Sequence, residues 1–300
     1  MADVHWLWVA FTLIAAASQT ARNAMQRELI VTLGTLGATH VRFLFGFPFA
    51  LLFLIGLVAV TRGALPHPGL AFWPWVLAGS VTQILATALM LAAMGHRSFV
   101  VAIAYIKTEP VQVALFGFVF LGDALTLPMI VAIVIATAGV ITMSFKPRGG
   151  AKADALPTLL GLGSGAMFAL SAVTYRGAIL GIEGTPFVMA ATFTLVVGIA
   201  MTAGLLSFYL ALRDPKVLVA IVKAWRPSVL AGALGALASE FWFLAFAIAT
   251  AASVRTLGLV EVLFAQAISI FVFKQPTSRR EAAGIVMVVI GVALLVWARA

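Results

Sequence analysis

Residues 109–140, EPVQVALFGFVFLGDALTLPMIVAIVIATAGV, lie without gaps over residues 261–292, EVLFAQAISIFVFKQPTSRREAAGIVMVVIGV, at an offset of 152 residues. Glu109 meets Glu261, Ile133-Val134 meets Ile285-Val286, and Gly139-Val140 meets Gly291-Val292. Apolar segments coincide easily, so the paired glutamates and paired Gly-Val steps carry the comparison. The chain is 63% hydrophobic and 10% charged, far from the half-apolar, quarter-charged make-up of an ordinary soluble domain. Its natural solvent is lipid. A hydrocarbon layer of about 30 Å needs roughly 20 apolar residues per helix.

Apolar runs fall near residues 6–25, 39–61, 70–94, 98–121, 127–145, 156–179, 187–212, 228–249, 253–273 and 281–298. The expected fold is an all-α polytopic membrane protein of ten transmembrane helices. The repeat offset spans five of these runs. An odd number of crossings brings the second copy in from the opposite face, so the fold reads as two inverted five-helix repeats, residues 1–146 and 156–300, joined by a linker at 147–155 that contains Pro147, Gly149 and Gly150. The run from Trp6 reads as a retained first helix, because Met1 to His5 carries no basic residue and the run is too long for a cleaved signal.

The formal charge of +9 is spread among loops and forms no stripe for nucleic acid. Twelve basic residues follow odd-numbered runs: Arg27, Arg97, Lys146, Arg148, Lys152, Arg213, Lys216, Lys223, Arg226, Lys274, Arg279 and Arg280. Three, Arg62, Arg176 and Arg299, fall on the other side. Basic loops stay in the cytoplasm, so both termini are expected in the periplasm of a bacterial inner membrane and the linker in the cytoplasm. Trp6, Trp8, Trp73, Trp75, Trp225 and Trp297 lie near run ends and read as interfacial anchors.

Ionisable groups within spans cost roughly 2.5–3.5 kcal/mol each on insertion scales and normally face a cavity or a partner. Tyr105, Glu109, Gln112 and Phe116 recur at helical spacing and share one face of the fourth run. Lys107 lies about 200° from Glu109 around a regular helix, so the two are not a same-face pair, although Pro110 loosens the local backbone. Glu109 and Glu261 either bind a substrate ammonium, carry a coupling proton, or pair with Lys107, Arg255 or Arg42 to hold helices together. Gln19 and Asn23 stack four residues apart, and Ser171 and Tyr175 occupy the equivalent places 152 residues later. Gln83 and Thr87 form a third such polar pair. Glu240 reads as a paired or solvating group, and its neighbour Trp242 as core or as an aromatic wall. The candidate substrate-binding set is therefore Gln19, Asn23, Gln83, Thr87, Tyr105, Lys107, Glu109, Tyr175, Glu240, Trp242 and Glu261.

Other function classes fare worse. There is no Gly-x-x-x-x-Gly-Lys-Ser/Thr loop for an ATP-driven pump and no carbonyl-filter motif for a channel. An enzyme would need converging catalytic groups, yet cysteine is absent and His5, His40, His67 and His96 show no ligand spacing. The expectation is a secondary transporter, with an intramembrane enzyme or a channel as the alternatives. It needs no cofactor and no metal; its partners are a small-molecule substrate and the lipid bilayer, and it works as a monomer.

The pattern resembles the drug/metabolite transporter superfamily, specifically its ten-helix EamA-type members. Gly122-Asp123-Ala124-Leu125-Thr126 is similar to that family's Gly-Glu-x-Leu-Thr signature and is followed by Gly139-Val140; Pro110 also fits. Lys274-Gln275-Pro276-Thr277-Ser278 departs from the signature in the second half, where Gly291-Val292 is kept. The resemblance implies movement of amino acids or other metabolites, and it looks most like the branch that exports aromatic amino acids.

Overall fold

A computed structural model describes residues 4–96, 105–144, 155–271 and 278–298. The expected linker, the N-terminal part of the fourth run and the Lys274–Thr277 stretch lie outside the described residues. Helices account for nearly all of the rest: α1 (Val4–Leu44), α2 (Phe47–Thr61), α3 (Phe72–His96), α4 (Glu109–Leu121), α5 (Leu127–Ser144), α6 (Ala155–Leu180), α7 (Phe187–Arg213), α8 (Pro215–Lys223), α9 (Trp225–Ile248), α10 (Ala251–Leu257), α11 (Glu261–Phe271) and α12 (Arg279–Trp297). Among the described residues six segments are long and apolar enough to cross a membrane, and Glu109–Leu121 and Leu127–Met143 are shorter apolar helices. The molecule is an all-α polytopic membrane protein.

Helix boundaries recur at the repeat offset. Adding 152 carries α4 onto α11, α5 onto α12 and α3 onto α9, each to within about two residues. The first two expected runs meet in α1, which is interrupted at Gly34 with φ of 67° and ψ of 176°. Only glycine adopts that conformation without strain. The chain reverses there, and Gln26 on one arm donates to the Ala38 carbonyl on the other at 3.0 Å.

The fourth and ninth runs are not continuous helices. Lys107-Thr108 forms a turn immediately before α4, and Gly258–Val260 is a 3-10 segment between α10 and α11. Each glutamate of the repeat is thus the first residue of a fresh helix, where the helix dipole favours negative charge. This corrects the expectation of one regular face through Tyr105, Glu109, Gln112 and Phe116, because the helical register breaks between Tyr105 and Glu109. Pro110 contributes to the break, since it has no N–H to bond back to the preceding turn.

Pairing between the two halves of the chain builds the interior. α3 runs along α6, α1 along α9, α5 along α12, and α2 packs on α7. The Gly-Val steps explain one of these contacts. A side-chain carbon at Gly291 would stand 2.6 Å from the Ala136 nitrogen, and one at Gly139 would stand 2.8 Å from the Gly284 carbonyl oxygen. The α5 and α12 backbones therefore touch, in the manner of small-residue membrane interfaces.

The Gly122–Thr126 signature is a structural joint. Gly122 ends α4 in the left-handed region, with φ of 66°. Asp123 accepts from Arg176 Nη1 of α6 at 2.8 Å, and Arg176 Nε donates to the Ala249 carbonyl at 3.0 Å. Thr126 Oγ1 accepts from the Met129 N–H at 3.5 Å at the start of α5, and Ser278, its counterpart 152 residues on, forms a capping box with Glu281 at the start of α12. Arg176 was expected as a topogenic loop charge; it is instead a largely buried side chain tying three segments together. Asp123→Asn, which keeps the shape and loses the charge, should lower stability by about 2 kcal/mol, read as an earlier thermal unfolding midpoint in detergent.

Trp6, Trp73, Trp225 and Trp297 are exposed on the outer surface, but Trp8 is only 5% exposed and packs in the interior, with Trp75 half-buried against Gly177. Position near a run end does not decide facing. α8 was expected as a basic loop; it is an amphipathic helix whose Val217 and Ile221 rest against Gly37, while Lys216 and Lys223 face out.

Candidate functional site

The charged centre is assembled from the two helix breaks and from α1. The turn before α4 places Lys107 against Glu261 as an ion pair, both side chains 8% exposed. Arg255, on α10, reaches Glu109, with Nε and Oε1 3.1 Å apart. The pairs are crossed: each glutamate is matched by a cation from the other half of the chain. The two differ in quality, since Arg255 Nε and Glu109 Oε1 are close yet not aligned for a hydrogen bond.

Gln19 of α1 links the ion pairs to the aromatic residues. Its Nε2 donates to Glu261 Oε2 at 3.2 Å, and its Oε1 accepts from Trp242 Nε1 at 3.0 Å. The Arg255 guanidinium stacks 4.4 Å above the Trp242 ring and 5.4 Å from that of Phe246. Trp242 is also fixed from below, because a side chain at Gly258 would collide with the indole at 2.6 Å. The Trp242 ring therefore serves as a wall of the centre, and is at the same time 4% exposed core.

Two small cavities share this lining. Gln19, Arg22, Asn23, Lys107, Glu109, Arg255 and Glu261 surround one with about 10 Å³ of free space. Gln19, Arg42, Gln83, Ser171, Tyr175, Ser239 and Trp242 are among those surrounding the other, with about 20 Å³. A water molecule needs about 10–15 Å³ on this measure, so the centre is closed down to the size of single waters. A groove of about 410 Å³ between Leu36, Val81, Leu85, Leu205 and Tyr209 is apolar and opens on the outer face. It has no converging polar groups and is no candidate for a polar solute.

Most of the expected residues meet here. Gln19, Asn23, Lys107, Glu109 and Glu261 line the first cavity, and Gln83, Tyr175 and Trp242 the second. Thr87 borders the second by accepting from Arg42 at 3.3 Å. Tyr105 and Glu240 are placed elsewhere. Tyr105 packs on Gly161 of α6, and Glu240 turns toward α7, where Thr192 donates to it at 2.5 Å. Gln83 accepts from Ser171 at 2.7 Å, which joins two of the polar pairs across α3 and α6.

The candidate set drawn from the sequence omits Arg22, and Arg42 enters it only as a possible partner of the glutamates. Both are buried, at 1% and 7% exposure, and both stems lie against Gly235 of α9. The signal was available: Arg22 is three residues from Gln19 and adjacent to Asn23, so it belongs to the same helix face as that pair. His40 is likewise buried, 2.9 Å from Ser207 Oγ. No group of three metal-ligating side chains occurs among the described residues.

Residues 6–145 match the EamA-like transporter family. The match covers just under half of the chain. A polar centre lined by helix breaks is the kind of site in which transporters hold polar solutes. No curated protein matches the sequence. Among solved structures, a chain described as "Crystal structure of protein" aligns over 95% of this chain and 97% of its own length, with a TM-score of 0.64 and 18% identity, which establishes a shared fold.

Proposed function

We propose that this protein exports amino acids, the aromatic ones foremost, by alternating access of two inverted five-helix halves. The observation that carries the reading is the crossed pairing at the two helix breaks. Lys107–Glu261 and Arg255–Glu109 join the halves at equivalent positions, so rocking one half against the other must stretch or exchange both pairs together. Discontinuous helices at the junction of repeats are where transporters hold polar solutes near the membrane midplane. Ten spans follow if α1 is counted as two arms reversing at Gly34 and the segments broken before Glu109 and Glu261 each cross once.

The aromatic preference draws on Phe168, Tyr175, Trp242, Phe243 and Phe246 around the second cavity. Polar recognition would come from Gln19, Asn23, Gln83, Lys107, Glu109 and Glu261. The closed centre is then one stage of a cycle, and solute must enter when the halves part.

Purified protein in liposomes should move labelled tryptophan or phenylalanine faster than empty vesicles, and aliphatic amino acids more slowly. Equal failure of every amino acid would defeat the exporter assignment, and currents at channel rates would favour a pore. Reporters fused after Ala300 should report the periplasm, and a reporter in the linker the cytoplasm, as the basic loops require.

A further inference from the structure

The centre holds more positive charge than its carboxylates neutralise. Arg22, Arg42, Lys107 and Arg255 line the two cavities against two carboxylates, Glu109 and Glu261, and both carboxylates are already engaged by Lys107 and Arg255. Arg22 is 1% exposed; its Nη2 donates to Asn23 Oδ1 at 2.6 Å, while Nε and Nη1 have no hydrogen-bond partner. Arg42 donates to two neutral hydroxyls, Thr87 and Ser239, each at 3.3 Å.

These two arginines are neighbours. A side-chain carbon at Gly235 would stand 3.2 Å from Arg42 Cγ and 3.3 Å from Arg22 Cδ, so both stems cross the same point of α9. Two buried guanidiniums side by side are unfavourable when neither is hydrogen-bonded to a carboxylate, and an anionic occupant would offset that cost. Glu240 does not supply the charge, because it faces Thr192 and lines neither cavity. Planar guanidinium forks match carboxylates in a bidentate manner.

We infer that the solute taken by this centre presents a carboxylate, seated on Arg22 and Arg42, and that an amino group is dispensable. This rests on the carrier reading above and sharpens it. Glu109 and Glu261 each already face a cation, Arg255 and Lys107, whereas Arg22 has two guanidinium nitrogens with no hydrogen-bond partner. Phe168, which borders both cavities, and Trp242 and Phe246 of the second then face the apolar part of the solute.

The test uses the full chain in lipid nanodiscs and two matched trios: tryptophan, indole-3-propionate and tryptamine; leucine, 4-methylpentanoate and isopentylamine. Thermal unfolding should shift upward with at least one carboxylate-bearing member, including its amine-free acid, and not with either amine. R42Q should raise the midpoint of the ligand-free protein by removing an uncompensated charge, and weaken acid binding on the order of 10- to 100-fold. R42K, which keeps the charge and loses the fork, should fall between. If R22Q does not fold, R42Q and the unmodified protein still decide the matter. Stabilisation by the amines as strong as by the acids, no stabilisation by any acid, or unchanged acid binding in R42Q would overturn the inference. Liposome uptake separates this from the carrier reading: transport of amines lacking a carboxylate faults the anion site alone, whereas acid binding without any transport faults the carrier alone.

Discussion

Glu261→Gln should cost this protein both its fold and its transport, with a loss of stability of about 3–5 kcal/mol. The substitution leaves Lys107 buried at 8% side-chain exposure with no counter-charge, and breaking one side of a buried pair is far more damaging than replacing the pair outright. It also weakens the hold on Gln19, which donates to the same carboxylate and accepts from Trp242. The double variant Lys107→Met/Glu261→Gln removes both charges, so folded yield and thermal midpoint should return close to those of the parent protein. Transport should not return if the pair takes part in the cycle. Size-exclusion profiles and liposome uptake on the two variants separate these outcomes: recovery of both fold and transport in the double variant would show that the pair is only a brace. Glu109→Gln is the milder case, because Arg255 keeps its stacking on Trp242 and Phe246 when the poorly aligned carboxylate contact is lost.

Gly291→Val is expected to be the most damaging substitution outside the charged centre. Added side-chain carbons there meet the Ala136 nitrogen at 2.6 Å and the Ala132 carbonyl oxygen at 2.8 Å. Backbone atoms cannot rotate aside, so α5 and α12 must separate along their length. Overpacking generally costs about 1–3 kcal/mol, and the top of that range or beyond applies here because the whole helix pair has to move. The measurement is the thermal midpoint in detergent, with Gly56→Ala as the control. Nothing lies within 4 Å of a side-chain carbon at Gly56, so that variant should unfold like the parent protein.

The same residues show how far the linear sequence could be read. The glutamate pair, the Gly-Val steps and the 152-residue offset were visible because they are local signatures that repeat, and the helix boundaries recur at that spacing. Gln19, Asn23, Gln83, Glu109 and Glu261 stand out in the sequence because a polar group in hydrocarbon is conspicuous by its cost. Arg22 and Arg42 are equally conspicuous, but a charge within or at the edge of a span does not by itself show whether it is buried. Burial depends on neighbouring helices, here α9 with its side-chain-free Gly235, which is 213 residues from Arg22 in the chain. Trp8 was misassigned for the matching reason: a residue's distance from a run end says how deep it lies, and not which way it faces.

What the sequence determined by itself was the solvent, the helical content and the chemical inventory of the centre, since composition and periodicity act one segment at a time. Which charge meets which was decided only in three dimensions. Helical-wheel geometry rules Lys107 away from Glu109 but is silent about partners on other helices, and the break before Glu109 cancels the wheel itself. Lys107 finds Glu261, and Arg255 finds Glu109, because packing brings the two broken segments side by side, and opposite charges deprived of water settle on the nearest partner.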